Sequence, residues 1–325
     1  MKKILVTGAA GFIGSKASEL LLQKGQPVCG VDNLNDYYPR ALKHHRLEQL
    51  KTHKKFEFIQ ADIENEADLN TLFKKYRFET VIHLAARAGV RASISDPYRY
   101  EKTNILGTLN LLECMRRYGS KKLVFASSSS VYAGTPAPFK ETAAIHTPLS
   151  PYAATKLAGE HLCYTYHHLY GIDMSILRFF TVYGPAGRPD MSPFKFTRLI
   201  AEKKQIEIYG DGNQLRDFTY IDDIAAGVVL ATKKLGYAVI NLGGQRAQPL
   251  MTMVTLIEQH LGVKAKIIKK ASVKADMKKT LADNLRARKL LSWKPKVKLS
   301  EGIARTVGWH KENHKWLQKI NWQEK

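Results

Sequence analysis

The stretch K-K-I-L-V-T-G-A-A-G-F-I-G-S, residues 2–15, decides the fold. Ile4, Leu5 and Val6 form a short apolar run of the kind a buried strand presents. Gly8, Gly11 and Gly14 follow at once, and an apolar-periodic helix continues through Leu20, Leu21 and Leu22. Strand, glycine turn and helix in this order make a phosphate cradle. The glycines permit a tight turn and let the backbone approach a pyrophosphate, and the amides at the helix N-terminus face the anion. A second strand over 27–31 ends at Asp32. An acid about 20 residues past the loop bonds both ribose hydroxyls and repels a 2′-phosphate, so the pattern points to NAD over NADP, with Arg40 and Lys43 the nearby bases. An ordinary glycine-rich turn is the bland alternative, and the ordered run of strand, loop, helix, strand and acid weighs against it.

Outward from this unit, strands and helices alternate. Strands are expected over 56–60, 80–84, 122–127 and 172–179, which makes the fold α/β, a doubly wound parallel sheet of the Rossmann type. Ligands of such a sheet gather at the carboxyl ends of its strands. Asp32, Asp62, Ala85-Ala86 and the serine cluster Ser127 to Ser130 all follow strand ends, so one cleft can collect them. His83 lies inside an apolar strand and reads as a packed, hydrogen-bonded side chain. Past Tyr183 the texture changes: a G-P-A-G-R-P-D loop, a helix near 194–202, a strand over 206–209, then G-D-G-N. This part is expected to have fewer strands and more helix. The division is an NAD-binding domain over 1–180, with 220–243 returning to it, and a smaller mixed α/β substrate lobe over 181–325. Helices near 103–118 and 152–170 carry broad apolar faces that could pair across a two-fold axis, giving a homodimer, although a single-chain core would look the same.

Tyr152 and Lys156 stand four residues apart in S-P-Y-A-A-T-K, and residues at that spacing share a helix face. An ammonium beside a phenol favours the phenolate, so Tyr152 can act as a base well below its usual pKa of about 10. A serine hydroxyl at the same point can share the proton of a substrate alcohol. The set suits removal of a proton from a carbinol whose hydride leaves for a nicotinamide. Alone, the pair is weak evidence and reads sooner as a surface tyrosine and a solvated lysine; the nucleotide motif gives it context.

The length of 325 residues allows a large core, as one big or two modest domains. No secretory signal, membrane-spanning run or metal-ligand spacing is read in the chain, and metal sites are expected to number none. Cys29, Cys114 and Cys163 are scattered and odd in number, as reduced thiols of a cytoplasmic protein are. The net charge of +22 thickens between Lys264 and Lys298. No stacking aromatics are interleaved there, so solvated faces are favoured over a nucleic-acid footprint. The charge would still draw in an anionic nucleotide sugar.

Taken together, T-G-A-A-G-F-I-G, H-L-A-A, the Asn104 helix, S-S-S-S-V-Y, Y-A-A-T-K, L-R-F-F-T-V-Y-G-P and R-D-F-T-Y-I-D-D-I resemble the extended short-chain dehydrogenase/reductase family, and within it the nucleotide-sugar epimerases. The resemblance runs from Lys2 to about Asp283. It implies that Ser128 occupies the catalytic serine/threonine position, that Tyr152 is the base, and that Lys156 supports it while bonding the nicotinamide ribose. It implies an NAD site of Gly8, Gly11, Phe12, Ile13, Gly14, Asp32, Asn33, Asp62, Ile63, Leu84, Ala85, Ala86 and Asn104, with Tyr152 and Lys156. Arg216 would clamp a diphosphate and Asp276 would meet a uridine ribose, with Tyr209 close by. Two departures are Val131-Tyr132-Ala133 for V-Y-G and Lys274-Ala275-Asp276 for P-G-D.

Related dehydratases and decarboxylases carry acids just after the catalytic Ser/Thr; here Ser129 and Ser130 stand there, against elimination or decarboxylation. Galactose-type 4-epimerases have an asparagine where this chain has Thr181. D-N-L-N-D-Y-Y, A-G-V-R-A-S and F-F-T-V-Y-G-P-A-G-R-P-D-M look most like UDP-glucuronate 4-epimerases. Thr181, Ser129, Ser130 and Arg188 are the right chemistry to receive a hexuronate carboxylate, with Arg91 a second candidate. The expected activity is therefore interconversion of UDP-glucuronate and UDP-galacturonate through a 4-keto sugar, with NAD retained. The alternatives are a 4-epimerase of neutral or N-acetylated UDP-hexoses, and a non-catalytic dinucleotide-binding regulator.

Overall fold

The computed structural model describes residues 2–322. Its first part lays down β1 (Ile4–Thr7), β2 (Val28–Asp32), β3 (Phe56–Gln60), β4 (Thr80–His83), β5 (Lys122–Ser128) and β6 (Asp173–Phe179). Between them run α1 (Phe12–Gln23), α2 (Arg40–Lys51), α3 (Glu66–Tyr76), α4 (Val90–Ser95), α5 (Pro97–Glu101), α6 (Gly107–Tyr118) and α7 (Pro151–Tyr170), with a π turn over Lys102–Leu106 leading into α6. The chain continues through β7 (Thr181–Tyr183), α8 (Ser192–Ala201), β8 (Gln205–Tyr209), β9 (Leu215–Tyr220), α9 (Ile221–Leu230), β10 (Tyr237–Leu242), β11 (Ala247–Pro249), α10 (Leu250–Leu261) and β12 (Lys266–Lys270). It ends with α11 (Leu285–Leu291), α12 (Leu299–Glu312) and α13 (His314–Leu317).

Seven strands form one sheet in the order β10-β6-β5-β4-β1-β2-β3, and every pairing in it is parallel. A parallel sheet with helices on both faces buries both sides of its strands, which explains continuous apolar runs such as I-L-V. Leu5 packs with Leu69, Phe73 and Leu111 on one face. Val6, one residue on, packs with Leu21, Ile224 and Val228 on the other. The winding reverses between β1 and β4, and the carboxyl ends of the strands beside such a switch point form a crevice. The glycine loop, directly after β1, lies at its lip.

The later residues build a smaller core from Phe196, Ile200, Ile206, Met253, Ile257, Ile303 and Val307. They also form a three-stranded sheet, β11-β9-β7, and a two-stranded one, β12-β8. This part is not poor in strands, contrary to the sequence expectation: six of the twelve strands start after residue 180. Two of them, β7 and β11, are three residues long, too short to print a period-2 pattern. β10 leaves this part and adds to the large sheet, with Tyr237 opposite Met174 and Leu242 opposite Phe179. Among the described residues, no helix is long and apolar enough to cross a membrane.

Candidate active site

A cavity of about 600 Å³ opens at the carboxyl ends of β1, β4 and β5 and extends under β7, β8 and β9. At its floor Gly8 has φ +71, and a Cβ there would stand 2.7 Å from the Ala85 nitrogen. A Cβ on Gly14 would stand 2.0 Å from the Gly8 carbonyl oxygen, so only glycine lets helix α1 start this close to the loop. Gly11 caps α1 with no side chain across its first amides, and the first turn carries no acid, leaving these N–H groups free for an anion. Asp32 is buried at the end of β2. Its Oδ2 accepts from the Ala10 amide at 3.2 Å, its Oδ1 from Leu34 at 2.9 Å, and Lys43 Nζ stands 3.4 Å away. Asn33 donates to Asp62 Oδ2 at 2.9 Å, which places both behind Asp32 on the same wall. A close-approach glycine floor beside a buried acid is the shape and chemistry of a dinucleotide cradle, and NAD fits these residues.

Helix α7 sets the second group. Ser150 caps it by accepting from the Ala153 amide at 3.2 Å, and Pro151 occupies the first turn. Tyr152 therefore stands in the first turn with Lys156 one turn further in. Both are buried. Tyr152 faces the same cavity as Ser128, and its ring meets Tyr100 edge-on at 6.1 Å. Burial pushes the phenol above its ordinary pKa; the Ser128 side chain and then the charge of Arg188 pull it part of the way back. No hydrogen bond joins Lys156 to the phenol. Its Nζ donates to the Ala126 carbonyl at 2.8 Å, at the end of β5, and lies 5.3 Å from the Phe125 ring centroid. Burial pushes Lys156 down to about 8, against the charges of Cys163 and Glu160. The shared helix face holds; the direct ammonium–phenol contact is replaced by a tie between α7 and β5. Ser128 Oγ accepts from the Ser130 amide at 3.1 Å, which fixes the turn after β5.

Below this turn lies a buried polar network. Ser127 donates to Glu160 Oε1 at 2.5 Å, and Arg178 grips Glu160 with Nε at 2.9 Å and Nη2 at 2.6 Å. Arg178 Nη1 donates to the Tyr132 hydroxyl at 2.8 Å, and that hydroxyl donates to Asn241 Oδ1 at 2.8 Å. β5, β6, β10 and α7 are thus pinned together one layer under Ser128. The turn after Tyr132 needs no glycine at Ala133, whose φ is −55; Gly134, one residue later, takes the positive φ.

The opposite wall is basic. Arg188 bonds Asp190 with Nε at 3.1 Å and Nη2 at 2.5 Å, and the Ala88 carbonyl at 2.9 Å. Burial works against its charge, but Asp190 holds it firmly protonated. Arg91 lies over the Tyr209 ring at 3.7 Å and pairs with Asp276 at 2.5 Å, across the mouth of the cavity. Arg216 is half-buried, spends one donor on the Leu215 carbonyl at 3.0 Å, and has its proton affinity lowered by burial.

Gly8, Gly11, Phe12, Ile13, Gly14, Asp32, Asn33, Asp62, Ile63, Leu84, Ala85 and Ala86 all line this cavity, as do Ser128, Ser129, Ser130, Tyr152 and Lys156. So do Arg91, Thr181, Arg188, Tyr209, Arg216 and Asp276. Asn104 is the exception. Its amide is buried behind the wall, bonded to the Arg87 amide and carbonyl at 2.9 Å each and to Thr155 at 3.0 Å, so it ties the loop after β4 to α7 and does not face the cleft. His83 is packed between Thr7 at 2.7 Å and Thr108 at 3.2 Å, and burial pushes it down to about 3. Reading the sequence missed Asp190, although R-P-D places an acid two residues past Arg188, and it missed Tyr37, whose hydroxyl reaches Ala88. Among the described residues no cluster of His, Cys, Asp or Glu is arranged to hold a metal ion, and all three cysteines are free and buried.

A glycine cradle with an acid at the second strand, and a Ser–Tyr–Lys set at the ends of β5 and α7, define a nucleotide-dependent short-chain dehydrogenase-type site. Residues 4–243 match the NAD dependent epimerase/dehydratase family, and the chain belongs to that family. It is 55% identical over 317 residues to the UDP-glucuronate 4-epimerase of Thermodesulfobacterium geofontis, covering 97% of this chain and 98% of that one. Among solved structures, UDP-glucuronic acid 4-epimerase from Bacillus cereus in complex with UDP-glucuronic acid and NAD matches with a TM-score of 0.90 and 41% identity, covering 95% of this chain and 99% of that chain. UDP-glucose 4-epimerase of Thermotoga maritima matches with a TM-score of 0.88 and 34% identity, over 96% of this chain and 99% of that chain.

Proposed function

We propose that this protein is an NAD-dependent isomerase that inverts carbon 4 of a UDP-hexuronate, interconverting UDP-glucuronate and UDP-galacturonate through a transient 4-keto sugar. One observation carries the choice of sugar: Arg188 lines the same cavity as Tyr152 and Ser128, so a guanidinium is available at the reaction centre. A carboxylate entering a closed pocket loses water and needs such a partner. The hydroxyls of Thr181, Ser129 and Ser130 lie on the same cavity wall, and no acid follows Ser128 to drive elimination.

In this reading Tyr152 accepts the 4-hydroxyl proton and gives it back, with Ser128 holding the hydroxyl in line. NAD, when bound in the cradle, supplies a hydride acceptor and donor for carbon 4. Lys156 keeps α7 on the end of β5 so that the phenol and Ser128 stay in register. Arg216, Tyr209, Arg91 and Asp276 hold the UDP end while the sugar turns over. Residues 1–180 form the nucleotide lobe, with 220–243 rejoining it, and 181–325 form the substrate lobe.

Incubating the purified protein with a panel of UDP-sugars and resolving the products tests this. Turnover of UDP-glucose or UDP-N-acetylglucosamine well above that of UDP-glucuronate defeats the assignment. Arg188→Ala is expected to weaken UDP-glucuronate turnover by ~1.5–3 kcal/mol in kcat/KM, the worth of a charged hydrogen bond, and to change any neutral-sugar turnover much less. Equal losses on both sugars would make Arg188 a brace for Asp190 and Ala88.

We place the protein in the cytoplasm, as a homodimer. Leu106, Tyr164, Leu169 and Tyr170 are exposed on and beside helices α6 and α7, apolar side chains that a second copy could cover. Sedimentation should give twice the chain mass, and Leu169→Glu should shift it toward the monomer; a monomer at micromolar concentration in the unmodified protein rejects the pairing.

A further inference from the structure

Arg46, on α2, is 4% exposed, and its guanidinium is bonded to neutral oxygens. Nη1 donates to the Ala10 carbonyl at 3.0 Å and to the Tyr38 hydroxyl at 2.8 Å. Nε and Nη2 both donate to the Ala186 carbonyl, at 3.0 and 2.8 Å, and Nη2 also reaches the Gly187 carbonyl at 3.0 Å. Among the described residues no carboxylate pairs with it. Burying a cation without a counter-charge is costly, and here five hydrogen bonds to neutral oxygens offset that cost.

What they hold are two loops far apart in sequence. Ala10 sits inside the glycine cradle, between Gly8 and Gly11, and its own amide donates to Asp32. Ala186 belongs to the G-P-A-G-R loop two residues before Arg188. It has φ +51, a left-handed conformation that a residue with a Cβ resists, and needs outside bonds to keep it there. Arg46 gives its carbonyl two. From the far side, His45 stacks on Trp316 with ring centroids 4.6 Å apart, so α2 is itself anchored.

We propose that Arg46 is a positioning residue that yokes the glycine cradle to the loop carrying Arg188, so that one guanidinium sets both the cofactor floor and the acid-recognising wall. The part of this that concerns the sugar rests on the function proposed above. The fork matters and not the charge alone: guanidinium offers five donors in a fixed plane, whereas an ammonium is a point cation.

Arg46→Gln and Arg46→Lys test it, read by amide hydrogen exchange. In both, amides of 8–14 and of 184–190 should exchange faster together, by roughly 10- to 100-fold, the range for one lost charged hydrogen bond, while β5 and β6 keep their protection. NAD recovered from the denatured protein should fall, and KM for UDP-glucuronate should rise more than kcat drops. The lysine variant keeps the buried charge and carries the test if the glutamine variant does not fold. Loosening of one segment without the other, of neither, or of the whole protein uniformly, overturns the proposal. Exchange and NAD content are read without turnover, so a protein that fails to epimerise UDP-glucuronate would reject the substrate assignment and leave the yoke to be judged on its own.

Discussion

Tyr152→Phe should lose epimerase turnover by roughly 10²–10⁴-fold, the usual contribution of a general acid–base group, while keeping its fold and its NAD. The reason is local. Only the phenol oxygen is removed, whereas the ring packs edge-on against Tyr100 and is unchanged by the substitution. Ser128 retains its bond from the Ser130 amide, so the turn survives. Lys156 is tied to Ala126 and does not depend on the phenol either. Turnover should be compared with NAD content and thermal stability on the same preparation. Near-normal turnover in the variant would mean that Tyr152 does not carry the proton.

Glu160→Ala should cost ~3–5 kcal/mol of unfolding free energy, because it strands the Arg178 guanidinium, buried, without its carboxylate. A domain has only about 5–15 kcal/mol in total, so the variant should be near the edge of folding. Removing both charges is different. Glu160→Met with Arg178→Met replaces the pair by apolar volume, and should recover much of the single variant's loss. Urea unfolding of the two variants measures this. A single-variant cost below about 1 kcal/mol, the value of an exposed pair, would show that the ion pair does not hold β5, β6 and α7 together.

The cradle was legible because its chemistry is written in backbone-scale features: three glycines, an apolar strand and one acid in fixed order. The large sheet was legible because strands buried on both faces print unbroken apolar runs. What escaped depends on directions that only the packed chain sets. Asn104 sits on the expected helix, but its amide turns inward to Arg87 and Thr155. Lys156 shares a face with Tyr152, yet its long side chain reaches the Ala126 carbonyl first. Arg188 enters the cavity as expected, already gripped by Asp190, whose role is set by a loop and not by any period. Arg46 left no trace, since all its partners save Tyr38 are backbone carbonyls, which every residue carries.

The return of β10 to the large sheet bears on how the protein is made. β6 finishes at Phe179, and its outer neighbour begins at Tyr237. On the ribosome the intervening stretch must emerge first, so β6 waits with a row of unpaired amides and carbonyls along one side. Such an edge joins readily to other strands, including those of another nascent chain. A fragment ending before Tyr237 keeps that edge unpaired, because the outermost strand of the large sheet beside β6 comes from later in the chain.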